Sequence, residues 1–500
     1  MIQHPVVIQG GMGAGVSDWR LAKAVSLTGQ LGVVSSTALD TILVRRLQDG
    51  DPGGHMRRGL ALFPFPAMAE RILEKHYIAG GRPKGTPYRL LPMLARVNSQ
   101  EATELLVVSN FVEVILAREG HTNPVGINCM EKLQLPLLAS LYGAMLAGVG
   151  YILMGAGIPL KVPGVLDAFA AGEAASYPLS VTGAKDGDDC LMRFDPQEVF
   201  GQPMPKLERP FFLAIISSNT LAATMVRRAN GKVDGFVIEG SSAGGHNAPP
   251  RGQMVLSETG EVVYGERDLV DLEKIRQIGL PFWLAGSYGT PEKVVEALES
   301  GAAGVQVGTV FAFCEESALR EDYKSALLKK IRRGEASVFT DPFSSPTGFP
   351  FKNVQLEGTG SEPGVYRSRT RLCDIGILRE AYRTDSGTIA YRCPSEPEEI
   401  YVAKGGRLEE TTGRKCLCNS LLADIGLQQI RRDGSEEPGM VTTGVDLPSV
   451  LRFMPATHDT YSAADVVNTL MSQLPPEVSA TQVKSPCVQT IAEPAGANTP

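Results

Sequence analysis

Two rhythms of apolar and polar positions run through the first 350 or so residues. Short apolar runs bounded by glycine or proline recur at His4–Gln9, Leu31–Ser35, Pro124–Cys129, Tyr151–Met154, Phe211–Ile216, Phe236–Ile238, Phe282–Ala285 and Val305–Val307. Runs of that length and composition predict buried strands. Between them, helical spacing appears over Asp18–Ser26, Gln100–Arg118, Leu133–Ala147, Thr220–Ala229, Leu269–Ile278 and Pro291–Glu299, with Ser17 or Asp18 placed to cap the first helix. Eight strands alternating with helices give the count of an α/β protein of the (β/α)8 TIM-barrel type, and an open doubly wound sheet is the alternative.

Three stretches depart from this alternation. Residues 36–97 carry Asp51-Pro52-Gly53-Gly54, Phe63-Pro64-Phe65-Pro66 and Gly80-Gly81-Arg82-Pro83, which reads as a long insertion with one or two helices, placed to serve as a lid. A strand at Pro178–Thr182, the polar turn Ala184–Asp189 and Leu191–Phe194 suit an extra hairpin at about 178–195, outside the main sheet. After residue 353 the texture changes to short mixed runs and charged turns. The organisation expected is a barrel over 1–353, a small accessory α+β region over 354–473 ending in a helix at Ala463–Met471, and a disordered tail over 474–500, where Pro, Ser, Thr, Ala and Gly dominate.

Composition narrows the class. A hydrophobic fraction of 43% with 21% charged residues fits a globular chain, and 54 Gly with 34 Pro imply many loops. The balance of 48 basic against 55 acidic side chains, net −7, offers no basic block for nucleic acid. The window Leu135–Met154 is broken by Gly, Ser and Tyr and reads as helix then strand, not as a membrane span. Met1 leads into an apolar run with no basic n-region or cleavage site, so a cytoplasmic protein is expected. Homo-oligomerisation stays open.

Chemistry concentrates at three glycine-rich strand ends. Ile8-Gln9-Gly10-Gly11-Met12-Gly13 lacks the GxGxxG spacing of a dinucleotide fold and offers backbone free of side chains to a planar ring. Ala285-Gly286-Ser287-Tyr288-Gly289 and Gln306-Val307-Gly308-Thr309 close the last two strands, where barrels often bind a phosphate. Glu239-Gly240-Ser241-Ser242-Ala243-Gly244-Gly245-His246 leaves the strand at 236–238, and His246 is the one histidine of six set in a glycine loop at a strand end, which makes it the candidate general base.

These motifs, in order IQGGMG (8–13), GIN (126–128), GAGIP (155–159), EGSSAGGH (239–246), AGS (285–287) and QVGT (306–309), resemble the nitronate monooxygenase (2-nitropropane dioxygenase-like) family of FMN-dependent TIM barrels, which also includes FMN-dependent enoyl-ACP reductases. The resemblance covers Pro5 to Asn353. It implies FMN with its phosphate at Gly286, Ser287, Gln306, Gly308 and Thr309 and its ring near Gly11, Met12, Asn128, Glu239, Gly244 and Gly245. It also implies a small-molecule substrate with dioxygen or NAD(P)H as co-substrate, and His246 as the group that takes a proton α to a nitro group. Glu239 stands where many monooxygenases of the family have Gln and the enoyl reductases often have Glu, so a reductase of fatty-acid or polyketide assembly is the second expectation. A flavin-binding scaffold without turnover is the third. Cys314 after Gly308-Thr309-Val310-Phe311 does not fit the nucleophile loop of IMP dehydrogenase.

Eight cysteines without an export signal point to reduced thiols. Cys373, Cys393, Cys416 and Cys418 contain a Cys-x-Cys but no Cys-x-x-Cys. That spacing argues against a zinc ribbon, and no metal is expected.

Overall fold

The computed structural model describes residues 4–454 and 460–475. The expected disorder from 474 onward falls almost wholly outside them. Eight parallel strands follow one another in a ring: Val7–Gln9, Gly32–Ser35, Val125–Met130, Tyr151–Gly155, Phe211–Ile216, Gly235–Glu239, Phe282–Ala285 and Gly304–Val307. The first pairs with the eighth, Val7 opposite Val305 and Gln9 opposite Val307. It also meets the second through a parallel bridge of Ile8 to Leu31, with the Gln9 N–H donating to the Leu31 carbonyl at 2.9 Å. An open doubly wound sheet would leave two edges unpaired; here the edges meet, and the fold is a (β/α)8 barrel.

Both faces of these strands are buried, which explains why their sequences read as continuous apolar runs. Ile8, Leu31, Val33, Tyr151, Leu153, Leu213, Val237, Trp283 and Ala285 form their own cluster inside the barrel. Phe212, Phe236, Phe282 and Val305 face outward into a larger cluster with the helices. The Trp283 indole is fully buried and donates to the Pro5 carbonyl at 2.8 Å, closing the N-terminal end of the barrel. Two residues further along each strand the same inward-facing register reaches Ser35, Asn128, Glu239 and Gln306, so the apolar filling gives way to a polar layer at the C-terminal mouth.

The helix at Trp19–Leu27 is capped by Asp18, whose side chain accepts from the Arg20 N–H, and the nineteen-residue helix is Gln100–Arg118. The expected helix at 269–278 shrinks to Leu272–Arg276, with Asp271 as its cap. The strand expected at 178–182 divides into Ala175–Pro178, which pairs with Leu191–Phe194, and Val181–Thr182, which pairs with Glu380–Arg383. Residues 36–97 hold three α-helices, Leu39–Gln48, His55–Ala61 and Pro66–His76. The lid expected here is not seen: these helices pack on Gln100–Arg118, and of the segment only Thr37 lines the cavity described below. Its apolar residues, such as Leu60, Phe63 and Ile72, bury against the outside of the barrel instead of its mouth.

Beyond residue 353 the hairpin Glu380–Arg383 with Ile389–Arg392 and the helices Pro363–Ser368, Glu398–Ala403 and Leu417–Ala423 pack beside the barrel. The helix Ala463–Met471 lies against Trp19–Leu27 and Pro291–Glu299. A buried ion network ties this region together. Arg369 pairs with Glu437 at 2.8 Å, Arg431 pairs with Asp374 at 2.6 Å, and Arg431 also pairs with Glu437. Among the described residues no helix is long and apolar enough to cross a membrane.

Candidate active site

A cavity opens at the C-terminal mouth of the barrel, and Gly11, Met12, Asn128, Glu239, Gly244, Gly245, His246, Gly286, Ser287, Gln306, Gly308 and Thr309 all line it. Each comes from a strand end or the turn after it. Chain neighbours that sit far apart in sequence are brought together by parallel pairing: Glu239 and Gln306 flank Ala285 in register. At Gly11 the fit is tight, for a Cβ there would stand 2.4 Å from the Asn128 Cβ. Gly286, at φ +94°, makes the sharp turn after the seventh strand.

The donor and acceptor inventory shows what the cavity can hold. Asn128 Oδ1 and Gln306 Oε1 are buried without a hydrogen-bond partner. Such orphans are costly unless a ligand satisfies them, and as acceptors they require N–H or O–H donors. No Lys or Arg lines the cavity, whereas Ser242, Ser287, Thr309 and glycine backbone do. A bound anion there would therefore be held by neutral donors. A flat ring with N–H groups on its edge, carrying a phosphate-terminated tail, fits this set of groups.

His246 is held in place from two sides. Its Nε2 is 2.7 Å from the Ser345 hydroxyl, and its ring lies 4.8 Å from that of Phe351. Among the described residues, no hydrogen bond to its Nδ1 is found. Burial lowers the imidazole to about 4, so it is neutral at pH 7. Burial raises the Glu239 carboxyl to about 7, with a hydrogen bond from Asn247 and the charge of Lys352 acting the other way. Lys352 is itself buried, donates to Thr340 Oγ1 at 2.8 Å, and is lowered by burial to about 8.

Other wall residues were missed by the sequence reading. Phe351, Leu421, Thr442, Thr443, Gly444, Asp446 and Ser449 line the cavity from the C-terminal side. No spacing signal marked them, because they meet the barrel mouth only through tertiary packing. The four cysteines at 373, 393, 416 and 418 line a second, much smaller cavity. Among the described residues no group of three or more His, Cys, Asp or Glu is arranged to hold a metal ion, and burial pushes the Cys393 and Cys418 thiols up.

Comparison with known proteins bears on one part of this architecture. Residues 200–347 match the family model "Nitronate monooxygenase". A nitronate monooxygenase of Pseudomonas aeruginosa is 38% identical over 117 residues, 23% of this chain and 32% of the relative. A probable nitronate monooxygenase of Staphylococcus saprophyticus is 30% identical over 148 residues, 29% of this chain and 38% of the relative. The matched stretches thus span well under half the length of these relatives. FabK from Thermotoga maritima overlays at a TM-score of 0.42 with 17% identity, covering 94% of this chain and 92% of its own. The chain resembles the nitronate monooxygenase family, and the matched segment, 200–347, carries the loop from Glu239 to His246 and the ends of the last two strands.

Proposed function

We propose that the protein is an FMN-dependent oxidoreductase that oxidises alkyl nitronates with dioxygen. The observation that carries this reading is a neutral, positioned histidine beside a glycine-walled cavity with unsatisfied acceptors. A bound flavin would supply the two-electron redox chemistry. The chain's own groups do the rest. Asn128 would accept from the ring edge, and so would Gln306, whose unpartnered oxygen suits an N–H better than the phosphate expected there; the Ser287 and Thr309 hydroxyls would hold the phosphate end. His246, with its Nε2–H donating to Ser345, would have Nδ1 free to take the α proton of a nitroalkane, giving the nitronate that is then oxidised.

Glu239 supports a second reading. A carboxyl raised to about 7 is half protonated at neutral pH and can deliver a proton to a substrate carbon, as reduction of an enoyl group by NAD(P)H requires. One experiment separates the two. Protein loaded with FMN is mixed anaerobically with propionate-3-nitronate or 2-nitropropane, and separately with NADPH, and flavin absorbance is followed. Bleaching by the nitro compounds is expected, with the 2-nitropropane rate falling by about 10²-fold or more in His246→Ala. Rapid bleaching by NADPH alone moves the protein to the reductase class. Protein that takes up no FMN sinks both readings.

A further inference from the structure

A strap from outside the matched segment forms one wall of the cavity. Residues 440–446 run from the Asp424 carboxylate, which accepts the Met440 N–H at 2.8 Å, across the barrel mouth. The strap then makes three contacts with the two loops expected to hold the ligand. Thr442 Oγ1 accepts the Gly245 N–H at 2.9 Å, the Val445 N–H donates to the Ser242 carbonyl at 3.1 Å, and the Gly444 N–H donates to Thr309 Oγ1 at 2.9 Å. Thr442, Thr443 and Gly444 themselves line the cavity.

The steric fit is reciprocal. A Cβ on Gly244 would lie 2.6 Å from the Thr443 carbonyl carbon, and one on Gly444 would lie 2.9 Å from the Ser242 carbonyl oxygen and 3.1 Å from Thr309 Oγ1. Each backbone therefore needs a glycine in the other to come this close. The contact to Thr309 also has a chemical consequence. A hydroxyl has one proton, and with Gly444 donating to its oxygen that proton remains for an acceptor elsewhere. In a wall without cations, an oriented hydroxyl is a substantial part of what can hold an anion.

We propose that the strap 442–446 is part of the ligand site: by fixing Thr309 as a donor it gives the site its preference for a phosphorylated flavin over an unphosphorylated one, and by setting the Gly244–Gly245 turn it shapes the wall expected at the ring. This rests on the flavin reading above. The site would then be incomplete in the segment 200–347 alone.

The test is titration of the full-length apoprotein with FMN and with riboflavin, read by flavin fluorescence, alongside a urea melt of each variant. Wild type is expected to favour FMN over riboflavin. Gly444→Ala is expected to weaken FMN about tenfold, the scale of one buried hydrogen bond lost, while riboflavin moves less than about threefold; Thr442→Val, which frees the turn expected at the ring, is expected to weaken both flavins alike. Thr442→Ser, which keeps the oxygen, is expected to bind FMN as wild type does. If Gly444→Ala binds FMN like wild type or loses the two flavins equally, the strap does not set the preference, and if Thr442→Val binds both like wild type it does not shape the ring wall; in either case the flavin reading stands. If wild type binds neither flavin, that reading fails and takes this inference with it. Where Gly444→Ala does not fold, as the urea melt shows, Thr309→Val, which removes the hydroxyl the strap orients, is held to the same FMN-against-riboflavin outcome.

Discussion

Glu239 and His246 sit at one strand end and its loop, and burial shifts them in opposite directions. The consequence for stability follows from proton linkage. His246 is lowered to about 4, so between its ordinary 6.5 and 4 the unfolded chain binds the extra proton, and stability falls as pH drops through that window. Glu239 is raised to about 7, so between its ordinary 4.5 and 7 the folded chain binds the extra proton, and stability is lost as pH rises. Each shift corresponds to about 3 kcal/mol at most, and the two nearly cancel between about pH 4.5 and 6.5. Glu239→Gln removes one side of this balance. Relative to wild type, its urea midpoint should rise steadily from pH 4.5 to 6.5; parallel profiles would show that Glu239 is not buried as described. The sequence identified His246 from its place in a glycine loop after an apolar run, and Glu239 came with the family resemblance. It did not contain Ser345 or Phe351 as their neighbours, since these lie about a hundred residues further on.

At the scale of the element, the strands were legible because burial on both faces leaves an unbroken apolar run, and the long helix at 100–118 was legible from its length. Reading failed where local signals were mixed. The segment 269–278 has helical spacing but folds into a single short turn between loops, and 178–182 splits because its two halves pair with different partners. The barrel interior gives a direct test of strand packing. Trp283 fills it at the N-terminal end, so Trp283→Ala should cost about 3–5 kcal/mol in urea unfolding, from lost burial plus the cavity left behind. A cost under 1 kcal/mol would mean that the interior is not packed around this ring.

At the scale of the whole molecule, the region after residue 353 is held together by ion pairs as well as by packing. Arg431 bridges Asp374 and Glu437, both almost fully buried. Arg431→Met leaves buried Asp374 without its cation and Glu437 with Arg369 alone, and should destabilise the protein by about 3–5 kcal/mol, with a melt that shows whether barrel and C-terminal region unfold in one transition. A near-neutral effect would indicate that water already reaches these carboxylates. The insertion is anchored in the same region, for Gln429 exchanges two hydrogen bonds with the Tyr88 backbone and Arg45 donates to the Leu427 carbonyl. By itself the sequence determined the strand–helix alternation and the glycine turns and polar groups at the strand ends, because these are local properties of the chain; choosing a closed barrel over an open sheet took the pairing of the first strand with the eighth. Tertiary structure alone decided that the insertion packs on the outside and not over the mouth, and that the strap at 442–446 closes the cavity wall. Contacts between segments two hundred residues apart leave no periodicity to read.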